Sequence, residues 1–194
     1  RMMDKVMLGN FSTMQQVGFY ENSEKLINVC LCVISAFGAV MMPRMSNLYA
    51  RSKYDECRDL FVRSMEIAIF IGCAITFGIS SIANDFIPIF YGTGYDACVS
   101  ITIMLSATVL FITWACIVRT LYLIPTEKNK VYIYSVFLGA GVNVIINWAL
   151  IPRLASVGAA VGTIIAEVTV AVYQTIMVRK ELDVSQCMKK SVPF

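Results

Sequence analysis

The chain has 194 residues, 58% of them apolar and 15% charged, with a mean hydropathy of +0.70 and a formal net charge of +3. This is too apolar for a soluble domain of its size, and the basic residues flank apolar runs instead of forming one patch, which argues against nucleic acid as a partner. The lack of His excludes a His-based metal or catalytic site, and the seven scattered cysteines, without a CxxC pair, read as small core thiols and not as disulfides or metal ligands.

The first residues, Met2, Met3, Val6, Met7 and Leu8 around Asp4 and Lys5, read as the end of a span that begins upstream, so the chain is expected to be a piece of a longer protein. Residues 1–23 comprise that end and an outer turn, with Gly18, Phe19, Tyr20, Glu21 and Asn22 as the turn itself. A first full span is predicted over 24–42, because residues 26–42 hold no Asp, Glu, Lys or Arg, and Pro43 is expected to end it. Residues 43–64 carry both signs of charge and read as a helical connector on the cytoplasmic face. A second span, 65–83, gives way to an aromatic and Gly-rich stretch from Asn84 to Tyr95 that suits an outer interface. A third span covers 99–124, Pro125 to Lys130 form a tight return, and spans 131–151 and 157–178 are joined at Pro152 to Val157. Residues 179–194 form a basic tail. Each run is close to the roughly 20 helical residues that cross ~30 Å of hydrocarbon with every backbone hydrogen bond closed internally.

Lys and Arg orient these spans. Arg44, Arg51, Lys53, Arg58 and Arg63 follow the first, none occurs in 84–96, Lys128 and Lys130 follow the third, Arg153 stands alone after the fourth, and Arg179, Lys180, Lys189 and Lys190 follow the fifth. The alternation predicts connectors that are in turn inside, outside, inside, outside and inside. The expected fold is all-α, a polytopic transmembrane bundle of five full spans plus the end of another, with antiparallel neighbours wherever connectors are short. None of the apolar runs reads as a secretory signal, since they are too long and no basic segment and small-residue cleavage site accompany them.

Gly139, Ala140 and Gly141, and Gly158, Ala159, Ala160, Gly162 and Ala166, would let two helices approach closely. Polar groups at membrane depth are the candidates for function, since they are costly there. Glu167 lies about ten residues from each end of its span, where it reads either as a cavity group or as a hydrogen bond between helices. Asp4 and Lys5 either line a hydrophilic cavity or mark a helix end. Arg119 is placed to snorkel or to hold a phosphate with its planar fork. Asn143 and Asn147, four apart, share a helix face and can bond across helices or line a polar lumen. There is no P-loop, GxSxG or HExxH, so no enzymatic chemistry is indicated, no cofactor or metal is implied, and ion-driven transport is the default.

Several motifs carry a resemblance: Asp4-Lys5-Val6-Met7-Leu8-Gly9, Val17-Gly18-Phe19-Tyr20, Glu24-Lys25-Leu26, Pro43-Arg44-Met45-Ser46, Phe90-Tyr91-Gly92-Thr93-Gly94-Tyr95, and Leu150-Ile151-Pro152 followed by Gly158-Ala159-Ala160. In order and spacing, over nearly the whole chain, they resemble the second half of the polysaccharide (O-antigen type) flippases of the multidrug, oligosaccharidyl-lipid and polysaccharide exporter superfamily. The resemblance implies two pseudo-symmetric lobes of twelve or fourteen helices in all, with this chain supplying most of the C-terminal lobe. It implies a multi-pass protein of the bacterial cytoplasmic (inner) membrane. Its expected action is to move an undecaprenyl-pyrophosphate-linked oligosaccharide between leaflets by alternating access. Lys5 and Arg119 would meet the diphosphate, Asn143 and Asn147 would line the sugar cavity, and Asp4 or Glu167 would serve coupling to a proton or sodium ion, or charge balance. An ion-coupled drug exporter of the same superfamily and a non-transporting membrane scaffold are the alternatives.

Overall fold

A computed structural model of the chain describes residues 2–92 and 94–182, with side chains as far as Arg179. Helix is the only regular structure among the described residues: α1 (Met2–Phe11), α2 (Met14–Ala50), α3 (Tyr54–Tyr91), α4 (Asp96–Val118), continued by a π-helix at Arg119–Leu123, and α5 (Asn129–Leu182). Four of these are long and apolar enough to cross a membrane: α2, α3, α4 with its π-helical extension, and α5. The predicted tail beyond residue 182, with Lys189 and Lys190, lies outside the described residues.

Helix α5 is a hairpin. Its 54 residues would reach ~80 Å if straight, but the backbone breaks at Ala155 (φ 48°, ψ −127°), three residues after Pro152. The two arms then run antiparallel, with Ser135 opposite Gln174, Gly139 opposite Val170, Asn147 opposite Gly162, and Leu150 opposite Gly158. Glycines are needed at these crossings. A β-carbon on Gly158 would lie 2.7 Å from the Leu150 carbonyl oxygen, and one on Gly139 would lie 2.5 Å from Val170 Cγ2. Ala155 is the opposite case, an L-residue held where glycine is at ease. We expect Ala155→Gly to raise stability by about 1 kcal/mol, read as a higher unfolding midpoint in detergent.

Two sequence expectations are corrected. Pro43 does not end its helix: α2 runs through it to Ala50, as α3 runs through Pro88 to Tyr91. Each proline lacks the N–H that would reach the carbonyl four residues back, a loss that long apolar helices tolerate because the rest of the helix and its neighbours hold the geometry. Nor is Gly18 to Asn22 a turn. The break lies at Ser12 and Thr13, where the Thr13 hydroxyl accepts the Gln16 N–H at 3.4 Å and starts α2. From there Phe19, Tyr20, Ser23, Glu24 and Ile27 fall on one buried helical face. Tertiary burial outweighs the turn propensity of Gly18 and Asn22.

The most buried helix, α4, packs against α2, α3 and α5, and apolar cores form at both ends of the bundle. One core gathers Met7, Leu8, Tyr20, Ile87, Cys98 and Ile151, next to the charge-poor connectors. There Tyr91 donates to the Asn22 carbonyl at 3.1 Å and Phe19 meets Tyr95 edge-on. The other core gathers Met45, Cys57, Phe61, Met65, Leu121 and Val178. At that end Tyr49 touches both Tyr54 and Tyr122, bringing the turn at residues 51–53 beside the turn at 124–128. The connectors rich in Lys and Arg thus share one end and the Arg- and Lys-free connector lies at the other, the segregation that alternating charge requires. Large apolar side chains such as Val29, Val33, Phe70, Phe77, Phe137, Ile145 and Trp148 point outward, as an acyl-chain environment favours.

Candidate functional site

Between the two cores a cleft of about 590 Å3 opens on one side of the bundle. Every element but α3 contributes: Met3 and Asp4 from α1, Asn28, Leu31, Cys32 and Ser35 from α2, Ile112, Ala115 and Cys116 from α4, Arg119 from the π-helix, and both arms of α5. The first arm supplies Tyr132, Val136, Gly139, Ala140 and Asn143, and the second supplies Thr163, Ala166, Glu167, Val170 and Gln174. Four of the six residues singled out in the sequence, Asp4, Arg119, Asn143 and Glu167, line this one space.

Asp4 is fully buried and both of its oxygens accept hydrogen bonds. Asn147 Nδ2 donates to Oδ1 at 2.6 Å, and the Tyr20 hydroxyl donates to Oδ2 at 3.2 Å. Tyr20 in turn lies 2.9 Å from the Thr163 hydroxyl, which also reaches the Ala159 carbonyl at 3.0 Å. Asn147 donates as well to Asn143 Oδ1 at 3.2 Å, so the pair four residues apart acts as a unit. Asn147 fits because Gly162 faces it across the hairpin; a β-carbon there would overlap Asn147 Oδ1. Three helical elements are thereby tied through one carboxylate, while Asn147 Oδ1, turned toward Gly162, is buried and accepts no hydrogen bond among the described residues.

Arg119 is the first residue of the π-helix, half-buried. Its guanidinium reaches Cys116 Sγ at 3.5 Å and lies 5.4 Å from the centre of the Tyr132 ring, a cation–π arrangement. Neither contact is anionic. The wider π turn, with i→i+5 bonding from the Ile124 N–H to the Arg119 carbonyl at 3.0 Å, shifts the register so that Arg119 turns to the cleft while Leu121 and Leu123 stay in the core. Glu167 lies between the two polar groups on the second arm, partly buried.

Lys5 is turned elsewhere. Its ammonium pairs with Glu24 at 3.0 Å and approaches Glu21 at 3.8 Å, joining α1 to α2, and it does not line the cleft. The structure thus separates it from Arg119, with which it was grouped in the sequence. Lys5→Met leaves the Glu24 carboxylate, 7% exposed, without this cation, and we expect a loss of about 1–3 kcal/mol in stability, less than for a wholly buried pair because Lys5 itself is 28% exposed. Thermal unfolding in detergent measures it; transport per folded molecule falls as well only if Lys5 serves the ligand.

Sequence reasoning missed Tyr20, Thr163, Tyr132, Ser135 and Gln174. Gln174 was within reach, as the one amide of an apolar span: it is 1% exposed and donates to Ser135 Oγ at 2.9 Å. Tyr20 was hidden by the reading of its segment as a turn.

Residues 1–100, more than half of the chain, match the family described as "Polysaccharide biosynthesis protein". The chain belongs to the polysaccharide biosynthesis protein family. A curated relative, the "Probable flippase AglR" of Haloferax volcanii, is 20% identical over 167 residues, covering 84% of this chain and 35% of the relative. The chain therefore spans about a third of the length of that relative. No solved structure matches it. Family membership and the apolar helices together make this a multi-pass membrane protein of that family.

Proposed function

We propose that the chain is the C-terminal lobe of a two-lobed flippase that carries an undecaprenyl-pyrophosphate-linked oligosaccharide across the bacterial cytoplasmic membrane by alternating access. In this reading α2, α3, α4 with its π turn and the two arms of α5 are five membrane spans, α1 is the end of another, and the Lys- and Arg-rich end faces the cytoplasm. The observation that carries the reading is the cleft: the guanidinium of Arg119, the carboxylates of Asp4 and Glu167 and the amides of Asn28, Asn143 and Gln174 line one continuous space in a bundle otherwise coated with apolar side chains. A lipid-linked glycan has the same division, with a greasy tail that can stay among acyl chains and a diphosphate and sugars that cannot. The match to a probable flippase supports translocation, and the family description supports a part in polysaccharide biosynthesis.

The roles follow from chemistry. Arg119 offers a fixed charge and a fork that matches phosphate oxygens, near the cytoplasmic end where a diphosphate at headgroup level would enter. Asn143 presents its amide to sugar hydroxyls, while Asn147, which is fully buried and does not line the cleft, holds Asn143 and Asp4 in place behind it. Asp4 and Glu167 bind a coupling proton or sodium ion, or balance the charge of Arg119. Translocation makes and breaks no covalent bond, so the lobe performs no enzymatic step. Full-length protein in sealed vesicles should carry an undecaprenyl-diphosphate oligosaccharide from one leaflet to the other much faster than protein-free vesicles do. Equal rates would reject the proposal.

A further inference from the structure

Helix α2 carries a polar track that runs out of the cleft. Asn28, Cys32 and Ser35 line the cleft, and Lys25 and Glu21 continue their row toward the charge-poor end of the bundle. At ~100° per residue these five positions fall within ~80° of one another around the helix, so they share one face. Lys25 is three residues past Asn22, whose carbonyl meets Tyr91 in the core at that end. At the other end of the cleft Arg119 adjoins Thr120, whose side chain faces Gly38 of α2. From Gly38 back to Lys25 the helix rises ~20 Å, so two cations stand at the two ends of one polar path.

The lysines at the charge-poor end are not alike. Lys5 is pinned at 3.0 Å by Glu24, whose side chain is 7% exposed. Lys25 is 64% exposed and pairs with Glu21, four residues before it, at 3.2 Å. An exposed pair of this spacing holds weakly, and one carboxylate oxygen occupies one of the three N–H donors of an ammonium. Lys25 can therefore meet a second anion without breaking a buried pair.

Resting on the flippase reading above, we propose that Lys25 is an outer phosphate station. Once the passage opens outward, its ammonium receives the diphosphate that Arg119 held at the cytoplasmic end, and Asn28, Cys32 and Ser35 form the neutral track between the two. Without a cation there, the diphosphate would cross the outer half of the lobe with its charge uncompensated, which is costly at membrane depth. A point charge shared with Glu21 grips phosphate less firmly than the planar fork of Arg119, so the station accepts the headgroup and still lets it go.

The test uses full-length protein in phosphatidylcholine vesicles and an undecaprenyl-diphosphate trisaccharide of N-acetylhexosamines. Lys25→Gln is expected to slow transport about tenfold, the scale of one lost hydrogen bond to a charged group, with an unchanged unfolding midpoint. Lys25→Arg keeps the cation and most of the rate. Glu21→Gln breaks the same ion pair but leaves the cation, and it keeps or raises the rate. Adding phosphatidylglycerol leaves the ratio of wild type to Lys25→Gln as it was. Wild-type transport per folded molecule in Lys25→Gln, or equal losses in Lys25→Gln and Glu21→Gln, overturns the station while leaving flipping intact. So does a Lys25→Gln defect confined to vesicles with phosphatidylglycerol, which would make Lys25 an anchor to anionic lipid headgroups. No transport by wild type overturns the flippase reading and the station with it.

Discussion

Arg119→Ala lowers transport of a lipid-linked oligosaccharide by about 100-fold, ~3 kcal/mol, while folded yield and unfolding midpoint stay near wild type. The separation of activity from stability follows from the surroundings of the guanidinium. Its contacts are the Cys116 sulfur at 3.5 Å and the face of Tyr132, with no carboxylate bonded to it among the described residues. Removing it therefore breaks no ion pair among the described residues. What is lost is the fork that would grip phosphate oxygens, so Arg119→Lys, a point charge without that geometry, restores only part of the rate. Initial rates in vesicles, set beside unfolding in detergent, check both halves; an Arg119→Ala protein with wild-type rates would remove Arg119 from the ligand site.

Gly162→Val has the largest expected effect on the fold, about 2–4 kcal/mol, from overpacking together with a broken hydrogen bond to a carboxylate. A β-carbon at position 162 overlaps Asn147 Oδ1, and Asn147 cannot step aside without giving up Asp4 at 2.6 Å and Asn143 at 3.2 Å. The arms cannot separate to make room, because Gly139 against Val170 and Gly158 against Leu150 hold the same interface closed. Gly141→Ala is the control. Nothing lies within 4 Å of a β-carbon at Gly141, so this change on the facing arm should cost nothing and can stabilise the helix by up to about 1 kcal/mol. Unfolding midpoints of both variants in detergent decide it; equal midpoints would mean that the hairpin is looser than the structure has it.

Charge-free runs made the helices legible in the sequence, because a bilayer leaves a chain few alternatives to helix. The alternation of basic and charge-poor connectors was legible for the same reason, and the structure gathers them at opposite ends. Local punctuation misled. Pro43 and Pro88 usually end helices in water, yet α2 and α3 pass through both. Gly18 and Asn22 suggest a turn, yet the buried row of Phe19, Tyr20, Ser23 and Ile27 decides their backbone. The site was half legible. Costly charges and the Asn pair four apart announced themselves one helix at a time, but partners across helices did not. Nothing in the spacing of Asp4 and Asn147, 143 positions apart, indicates that they meet, and nothing in the adjacency of Asp4 and Lys5 shows that successive helical residues point to different partners. The π turn that aims Arg119 has no sequence signature at all.

The most direct measurement of the account is thiol labelling at two neighbouring positions of α5 in full-length protein stripped of its other reactive cysteines. Ala140 lines the cleft, and Leu138, 42% exposed, lies two residues away, ~200° around the helix on the opposite side. If the helices thread a bilayer around a wet, glycan-holding passage, a charged membrane-impermeant reagent modifies Ala140→Cys, an added undecaprenyl-diphosphate oligosaccharide slows that reaction, and Leu138→Cys stays unmodified among acyl chains. Equal modification of both positions, or a rate at Ala140→Cys that the lipid-linked glycan leaves unchanged, would contradict the account.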